Sequence, residues 1–182
     1  MIDPYQIIQK YYPEGSLAAH VLIAHSEAVA GKSDLIAQAL GLQPEERNFI
    51  REAALLHDIG IILTQAPDIG CFGNHPYICH GYLGHDLLIK EGLPIHALVC
   101  ERHTGTGLTI EDIENQKLPI PRRTMLPVSL AEKIIAYTDK FFSKSHGQLT
   151  REKTFEEVLR SVRRFGPDKE TILAGWHEEF NR

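Results

Sequence analysis

The apolar residues of the chain recur at intervals of three and four along most of its length, and alternating apolar and polar runs are nearly absent. Such intervals place side chains on one face of an α-helix, whereas a half-buried strand repeats every second residue. Proline and glycine residues that typically begin and end helices separate the segments. The sequence therefore predicts an all-α chain. Helices are expected from Pro4 onward, from about 16 to 41, from 44 to 60, and over about 77–91, 94–104, 127–143, 151–165 and 168–180.

Length and composition are those of one globular domain with a buried core, since the chain has 182 residues and 43% of them are hydrophobic. The formal net charge of −5 opposes stable nucleic-acid binding, which depends on lysines and arginines that displace counterions from phosphates. Three cysteines without a C-x-x-C motif indicate a reducing compartment. Because neither a secretory signal nor a bilayer-spanning apolar run is visible, we expect a cytoplasmic protein without a membrane partner.

A set of imidazoles and carboxylates shares the apolar faces of the predicted helices, at spacings of three and four residues. The set consists of His25, His57, Asp58, His80, His103 and Asp139. Burying a carboxylate is costly unless a cation or several hydrogen-bond donors meet it. A shared metal ion would supply the compensating charge.

Each of these residues also has an ordinary structural interpretation. A single inward histidine is more often a hydrogen-bonded core residue than a ligand, and Asp139 alone could pair with Lys133 or an arginine. One shared metal site is favoured because separate helices each place a metal-binding group on the core side. A structural zinc site that uses Cys79 and Cys100 ranks lower, since isolated cysteines are commonly buried as small apolar residues.

The tetrapeptide His57–Gly60 resembles the signature of the HD-domain superfamily of metal-dependent phosphohydrolases. His25 opens a segment that is similar to the first ligand segment of that family, and Tyr137–Lys140 is similar to the last. Between them, His80 and His103 resemble the two additional histidines of the subgroup that holds two metal ions. The ordered set of six residues is more specific than the tetrapeptide alone.

The resemblance covers about residues 16–145 and implies a single-domain helical bundle of the HD type around a metal centre. The whole chain, 1–182, would form this domain, with a C-terminal helical extension over about 150–182. The first ion would be held by His25, His57, Asp58 and Asp139, and the second by His80 and His103, with Asp58 bridging. Iron and manganese are the first candidates for the two divalent transition-metal ions, and cobalt, nickel and zinc suit the same ligands.

The activity implied by the resemblance is hydrolysis of a phosphoester or phosphoanhydride in a small phosphorylated metabolite, with nucleotides as the first substrate class. Hydroxide generated by the ions would attack, so the catalytic residues are the ligands His57 and Asp58. Basic residues near the ligands could bind the remaining phosphate oxygens. The candidate substrate-binding residues are Lys140, Arg102 and the loop residue His75.

Two other functions fit the same residues. Some proteins of this fold with a similar histidine-rich set resemble di-iron oxygenases, and others resemble regulatory modules without catalytic activity. The regulatory alternative is the least favoured, because such modules typically lack ligands that this sequence retains. The specificity loops are expected at 61–76 and 105–126, where the sequence does not define a substrate, and it also allows a homodimer.

The remaining histidines receive no functional role. His85 and Asp86 form a second His-Asp pair, but no matching ligand segments follow, so the pair is interpreted as helix surface or packing. No role is predicted for His20, His96, His146 and His177.

Overall fold

Helices account for most of the chain in its computed structural model, which describes residues 2–145 and 147–181. The all-α prediction is confirmed. His146, Met1 and Arg182 lie outside the described residues. The α-helices are α1 (Pro4–Tyr11), α2 (Leu17–Ala39), α3 (Pro44–Leu56), α4 (His80–Lys90), α5 (Pro94–Arg102), α6 (Ile110–Asn115), α7 (Leu130–Asp139), α8 (Phe155–Arg163) and α9 (Pro167–Phe180).

Short irregular elements connect α3 to α4. They are 3₁₀ helices at Ile59–Leu63, Pro67–Ile69 and Tyr77–Cys79, and the antiparallel strands β1 (Gln65–Ala66) and β2 (Cys71–Phe72). Each strand has two residues, which is too short for an alternating pattern to show in the sequence. This connection occupies the first of the two expected specificity loops.

Several predicted helices are shorter in the structure, and α6 was not predicted. The third helix was expected to reach Gly60 but ends at Leu56, because Asp58 leaves the helical region with φ −108° and ψ 10°. The helix predicted over 127–143 begins only after Ser129, whose side chain accepts a hydrogen bond from the backbone N–H of Glu132, and it ends at Asp139. These ends matter because Asp58 and the end of α7 both belong to the candidate site.

Two apolar clusters form the core. One involves mainly α1, the N-terminal half of α2, the 3₁₀ helix after α3, α4 and α5. The other involves mainly the C-terminal half of α2 with α3, α7, α8 and α9. Leu22 on α2 belongs to the first cluster and Val29 to the second, and His25 is buried between them. The long helix α2 therefore places an imidazole at the junction of the two clusters.

The helices around this junction pack in pairs, α2 against α3 and α4 against α5, and α2 also packs against α7. The hydroxyl groups of Ser33 on α2 and Thr138 on α7 are 2.7 Å apart in this buried interface. Thr138 directly precedes Asp139, so the contact lies next to the candidate site.

None of the helices in the described part of the chain combines the length and the apolar content that crossing a membrane requires.

Candidate metal centre

The six imidazole and carboxylate residues singled out in the sequence converge in the interior of the structure. His25 lies within α2, His57 and Asp58 follow α3, His80 begins α4, His103 follows α5, and Asp139 ends α7. All six are buried. Within each of two groups, one candidate ligand atom per residue lies within 4.8 Å of the others: His25, His57, Asp58 and Asp139, and then Asp58, His80 and His103. Asp58 belongs to both groups.

Asp58 lies at the centre of the arrangement. Its Oδ2 atom is 3.1 Å from Nε2 of His57 and 3.3 Å from Nε2 of His25. Its Oδ1 atom is 3.4 Å from Nε2 of His103 and 3.5 Å from Nε2 of His80. Each oxygen of one carboxylate therefore faces a separate pair of histidines, as a carboxylate that bridges two ions would.

Asp139 completes the first group. Its Oδ1 atom is 3.0 Å from Nε2 of His25 and 3.5 Å from Nε2 of His57. In the second group, the Nε2 atoms of His80 and His103 are 3.1 Å apart. Two ring nitrogens at this distance either share a proton or direct their lone pairs to a common cation.

Backbone carbonyl groups orient three of the histidines. The Nδ1 atoms of His57, His80 and His103 lie 2.6, 2.7 and 2.7 Å from the carbonyl oxygen of the residue three positions earlier. A carbonyl oxygen only accepts, so Nδ1 donates its proton and Nε2 is the nitrogen that can bind a metal. Hydrogen bonds of this kind commonly fix the ring orientation of histidine ligands.

Several polar atoms at the centre are poorly satisfied by the protein itself. Oδ1 of Asp58 and Nε2 of His57 are buried without a hydrogen bond of good geometry to the described residues. A buried polar group left in this state costs about 1–3 kcal/mol. Because a cation can accept these lone pairs, and because imidazole and carboxylate are ligands of divalent transition metals, the donor set fits metal binding.

The position of Asp58 is fixed by the turn that follows it. The hydroxyl group of Tyr12 donates to the carbonyl oxygen of Ile59 at 2.8 Å and accepts from the backbone N–H of Ile62 at 3.1 Å. Both of those residues belong to the 3₁₀ helix after α3. Tyr12, at the end of α1, therefore ties the metal-binding turn to a second helix.

Neighbouring lysines keep both carboxylates ionised. Burial opposes ionisation of Asp58, but Lys144 and His57 hold the pKa of that carboxyl well below its usual value. Burial likewise opposes ionisation of Asp139, and Lys140 and Lys144 lower the pKa of that carboxyl. Both aspartates are therefore in the charged form that binds cations.

The histidines differ in their proton affinity. Burial lowers the pKa of His80 to about 3 and also lowers the pKa of His103. Burial acts in the same direction on His57, but Asp58 and Asp139 outweigh it and raise the pKa of His57 to about 9. Since the neutral ring binds a metal, His80 and His103 are ready to do so, whereas His57 must first release a proton.

Lys144 is a residue of the site that the sequence did not predict. Its Nζ atom lies 2.6 Å from Oδ2 of Asp58 and 3.5 Å from Oδ1 of Asp139. Burial opposes its charge, yet Asp58 and other neighbours raise the pKa of Lys144 well above the ordinary value. It follows α7 in a segment without helical periodicity, so no sequence pattern indicated where its side chain would lie.

A cavity of about 480 Å³ lies beside the cluster and includes Asp139 in its wall. The predicted substrate-binding residue Lys140 also lines it, donating to Oδ2 of Asp139 at 2.6 Å and to the carbonyl oxygen of His103 at 3.3 Å. Within the described part of the chain, four lysines line this cavity and Asp139 is its single carboxylate. The cavity is therefore suited to an anion. A larger groove of about 700 Å³, between α2 and the end of α9, contains none of the six residues.

The other two predicted substrate-binding residues lie outside the wall of this cavity. The guanidinium group of Arg102 donates from Nη1 to both carboxylate oxygens of Glu132, at 3.1 and 3.3 Å. His75 is exposed, and its carbonyl oxygen accepts from the backbone N–H of Gln65 at 2.8 Å. The structure therefore brings Lys140 to the cluster but not Arg102 or His75.

The residues set aside in the sequence lie elsewhere. Nδ1 of His85 is 2.9 Å from Oδ1 of Asp86, whose side chain is 58% exposed, so this second His-Asp pair lies on the surface of α4. Cys79 and Cys100 are buried free thiols. Among the described residues, the groups that could hold a metal contain neither cysteine.

Comparison with known proteins gives a family match and several relatives. A family model described as HD domain matches residues 22–144, which include all six residues of the cluster. The tRNA (cytidine(56)-2'-O)-methyltransferase of Picrophilus torridus is 32% identical over 127 residues, and the protein with the same name from Thermoplasma volcanium is 30% identical over 127 residues. In both cases the match covers 69% of this chain and 33% of the relative, so the chain spans about a third of their length.

A third relative is closer in size. The uncharacterized protein MJ0778 of Methanocaldococcus jannaschii is 32% identical over 127 residues, which are 68% of this chain and 68% of that protein. No solved structure gives a significant match.

Proposed function

The chain belongs to the HD-domain family, and from this premise we propose that it is a metal-dependent phosphohydrolase. It would cleave a phosphoester or phosphoanhydride bond of a small phosphorylated molecule, with nucleotides as the first substrate class to test. The observation that carries the proposal is the convergence of four histidines and Asp139 around Asp58, beside a cavity lined with lysines.

The six residues divide into two sets of ligands in this proposal. One divalent ion would be held by His25, His57, Asp58 and Asp139, and a second by His80, His103 and the other oxygen of Asp58. Iron and manganese are the first ions to test, followed by cobalt, nickel and zinc. When bound, the ions supply a water molecule that ionises near neutral pH and positive charge that polarises the phosphoryl oxygens.

The chain itself would bind and orient the phosphate. Lys140 and Lys144 both line the cavity and lie against the two carboxylates of the site. Their ammonium groups can donate charge-assisted hydrogen bonds to phosphoryl oxygens that the metal ions do not contact. Because Lys140 is also bonded to the carbonyl oxygen of His103, its position is set by the backbone that carries a ligand of the second group.

Methyl transfer is not part of this proposal. Two relatives are named as tRNA methyltransferases, but this chain spans about a third of their length. The net charge of −5 also gives no support to stable binding of a tRNA.

The proposal is tested by measuring phosphate release from a panel of nucleotides and sugar phosphates, with the protein loaded separately with manganese and with zinc. We expect at least one substrate to be hydrolysed with each of these ions. A protein that holds its metal ions and releases no phosphate from any substrate would contradict the proposal. Activity that requires iron and consumes oxygen would instead identify the oxygenase alternative. Zinc cannot support that reaction because it does not undergo redox chemistry.

Substituting Lys144 tests the phosphate-binding role of the lysine that only the structure placed at the site. We expect Lys144→Gln to lower kcat/KM for phosphate release by about 10- to 100-fold, the effect of losing a hydrogen bond to a charged group worth roughly 1.5–3 kcal/mol. Metal content, measured by elemental analysis, should stay unchanged because all six ligands remain.

The matched control is Lys133→Gln. Lys133 is a half-buried lysine on α7 that does not line the cavity, so this variant should keep the kcat/KM of the unmodified protein. If Lys144→Gln loses metal in proportion to its activity, Lys144 acts on assembly of the metal centre rather than on the phosphate.

A further inference from the structure

The cavity beside the metal centre has a wall that lies outside the family match. The HD model ends at residue 144, whereas Lys153, Ser161, Val162, Arg164, Phe165 and Lys169 line the same cavity. These residues come from the segment before α8, from α8 and its end, and from the start of α9. Any contact between this wall and a substrate is therefore made by residues outside the part of the chain that the family model matches.

Both the backbone and the side chain of Lys153 form hydrogen bonds with the residues that follow α7. Its N–H donates to the carbonyl oxygen of Phe141 at 2.9 Å, and its Nζ atom lies 3.4 Å from the carbonyl oxygen of Lys140. This places a half-buried ammonium group next to the C-terminal end of the helix that carries Asp139. The position is set by tertiary contacts, so the charge is fixed at the cavity rather than free in solvent.

Lys153 differs from the other lysines of the cavity in having no ion-pair partner among the described residues. Lys140, Lys144 and Lys169 each have a carboxylate oxygen at 2.6 Å. The acidic neighbours of Lys153 in sequence are engaged elsewhere, since Glu152 pairs with Lys32 and Glu157 with Arg151.

Burial and neighbouring lysines oppose the positive charge of this ammonium group. Burial lowers the pKa of Lys153. The charge of Asp139 opposes this shift, whereas the charges of Lys140 and Lys144 add to it. An anionic ligand group beside it would offset both effects.

A buried polar side chain also belongs to the wall of the same cavity. Thr106 lines it and is 3% exposed, and its Oγ1 atom is buried without a hydrogen-bond partner in the described residues. Buried hydroxyl groups are usually hydrogen-bonded, and one without a partner requires an explanation. Gly105 and Gly107 flank it with positive φ angles of 62° and 95°, a backbone region that glycine adopts without steric cost.

We propose that Lys153, which follows the matched part of the chain, forms a second anion subsite in the cavity beside the metal centre. The substrate would then carry a further anionic group in addition to the phosphate bound at the metal ions. Such substrates include phosphoanhydrides and bisphosphates, as distinct from simple monoesters of neutral alcohols. The inference rests on the proposed function in assuming that the metal centre binds the reacting phosphate. It goes beyond that function by assigning a specificity-determining residue.

The experiment compares non-hydrolysable ligands with one and two anionic groups. Methylphosphonate carries the phosphonate group alone. Phosphonoacetate and 3-phosphonopropionate add a carboxylate, which is separated from the phosphorus atom by one and by two methylene groups. Their affinities for the manganese-loaded protein are measured by titration calorimetry, with metal content determined before and after. We expect at least one two-anion ligand to bind about tenfold or more tightly than methylphosphonate, as one charge-assisted hydrogen bond allows.

Three variants assign that preference to Lys153. Lys153→Gln should remove the tenfold preference and leave the affinity for methylphosphonate within about twofold. Lys153→Arg, which keeps the charge, should retain the preference, and Lys133→Gln serves as the control for a lysine outside the cavity. A wild-type protein without the preference, or a preference that Lys153→Gln retains, would overturn the inference.

The result is independent of the outcome for hydrolysis. If the two-anion preference depends on Lys153 but no phosphate is released from any substrate, the subsite stands and the proposed hydrolase activity fails. If phosphate is released but the preference is absent, the hydrolase stands and the subsite fails.

Discussion

Replacing Asp58 by asparagine is expected to abolish phosphate release, lowering kcat/KM by about a thousandfold or more. Each carboxylate oxygen of Asp58 faces a separate pair of histidines, so this substitution removes a charged ligand from both groups at once. Metal ions contribute several kcal/mol of charge stabilisation to a phosphoryl transition state, and about 4 kcal/mol corresponds to the stated loss. Bound metal should fall together with activity, which elemental analysis of the same sample measures.

A matched control comes from the second His-Asp pair on the surface. Asp86→Asn makes the same chemical change at an exposed aspartate beside His85 and should leave activity and metal content unchanged. Asparagine has nearly the size of aspartate, so the fold of Asp58→Asn should be retained, as circular dichroism would show. An Asp58→Asn protein with full metal content and activity would refute the assignment of Asp58 as the bridging ligand.

Gly60→Ala is expected to lower the free energy of unfolding by about 3 kcal/mol or more. We expect this loss to be larger than that of any other single substitution by a similarly small residue at the site. A Cβ atom at Gly60 would fall well inside van der Waals contact with the carbonyl oxygen of His80 and the backbone N of Gly84. Both contacts are backbone atoms of α4, so relief requires α4 to move away from the turn that carries Asp58. Because His80 begins α4, binding at the second metal position should weaken as well.

Gly31→Ala is the control for the general effect of removing a glycine. Gly31 lies inside α2, where a Cβ atom would meet nothing within 4 Å. Alanine should therefore raise the free energy of unfolding by roughly 0.5–1 kcal/mol through its higher helix propensity. Urea titration of both variants measures the two effects. A Gly60→Ala protein as stable as wild type would show that the close packing of the turn against α4 is not required.

The convergence of the six buried residues could be predicted from the sequence because most of them lie on or next to regular helices. The helical period fixes which face a residue occupies, so His25 and His57 could be assigned to the core side from their spacing to apolar neighbours. The same geometry explains the different outcome for Arg102. Adjacent residues of a helix point about 100° apart, so the neighbour of His103 is directed to Glu132 instead of the cavity.

The cationic wall of the cavity could not be predicted in the same way. Lys144 and Lys153 lie between α7 and α8, where no repeating backbone geometry relates one side chain to the next. Their positions depend on long-range contacts, such as the hydrogen bond from the N–H of Lys153 to Phe141. Lys140 could be suggested because it directly follows Asp139, where the family that the sequence resembles often has a basic residue.

The unpredicted helix α6 has a related cause. It has six residues, fewer than two turns, and begins at a capping box formed by Thr109 and Asp112. Asp112 is also bound by the buried Lys169 of α9 at 2.6 Å. A helix this short is marginal by itself, so tertiary contacts that the local sequence does not encode help to stabilise it.

The most direct test of the dinuclear account is the number of metal ions per chain. The protein is loaded with manganese, dialysed against metal-free buffer and subjected to elemental analysis with an independent protein concentration. The account predicts two ions per chain in the wild-type protein and one in the His80→Ala/His103→Ala double variant, which keeps the first ligand group. One ion or none in the wild-type protein, or two ions in the double variant, would contradict it.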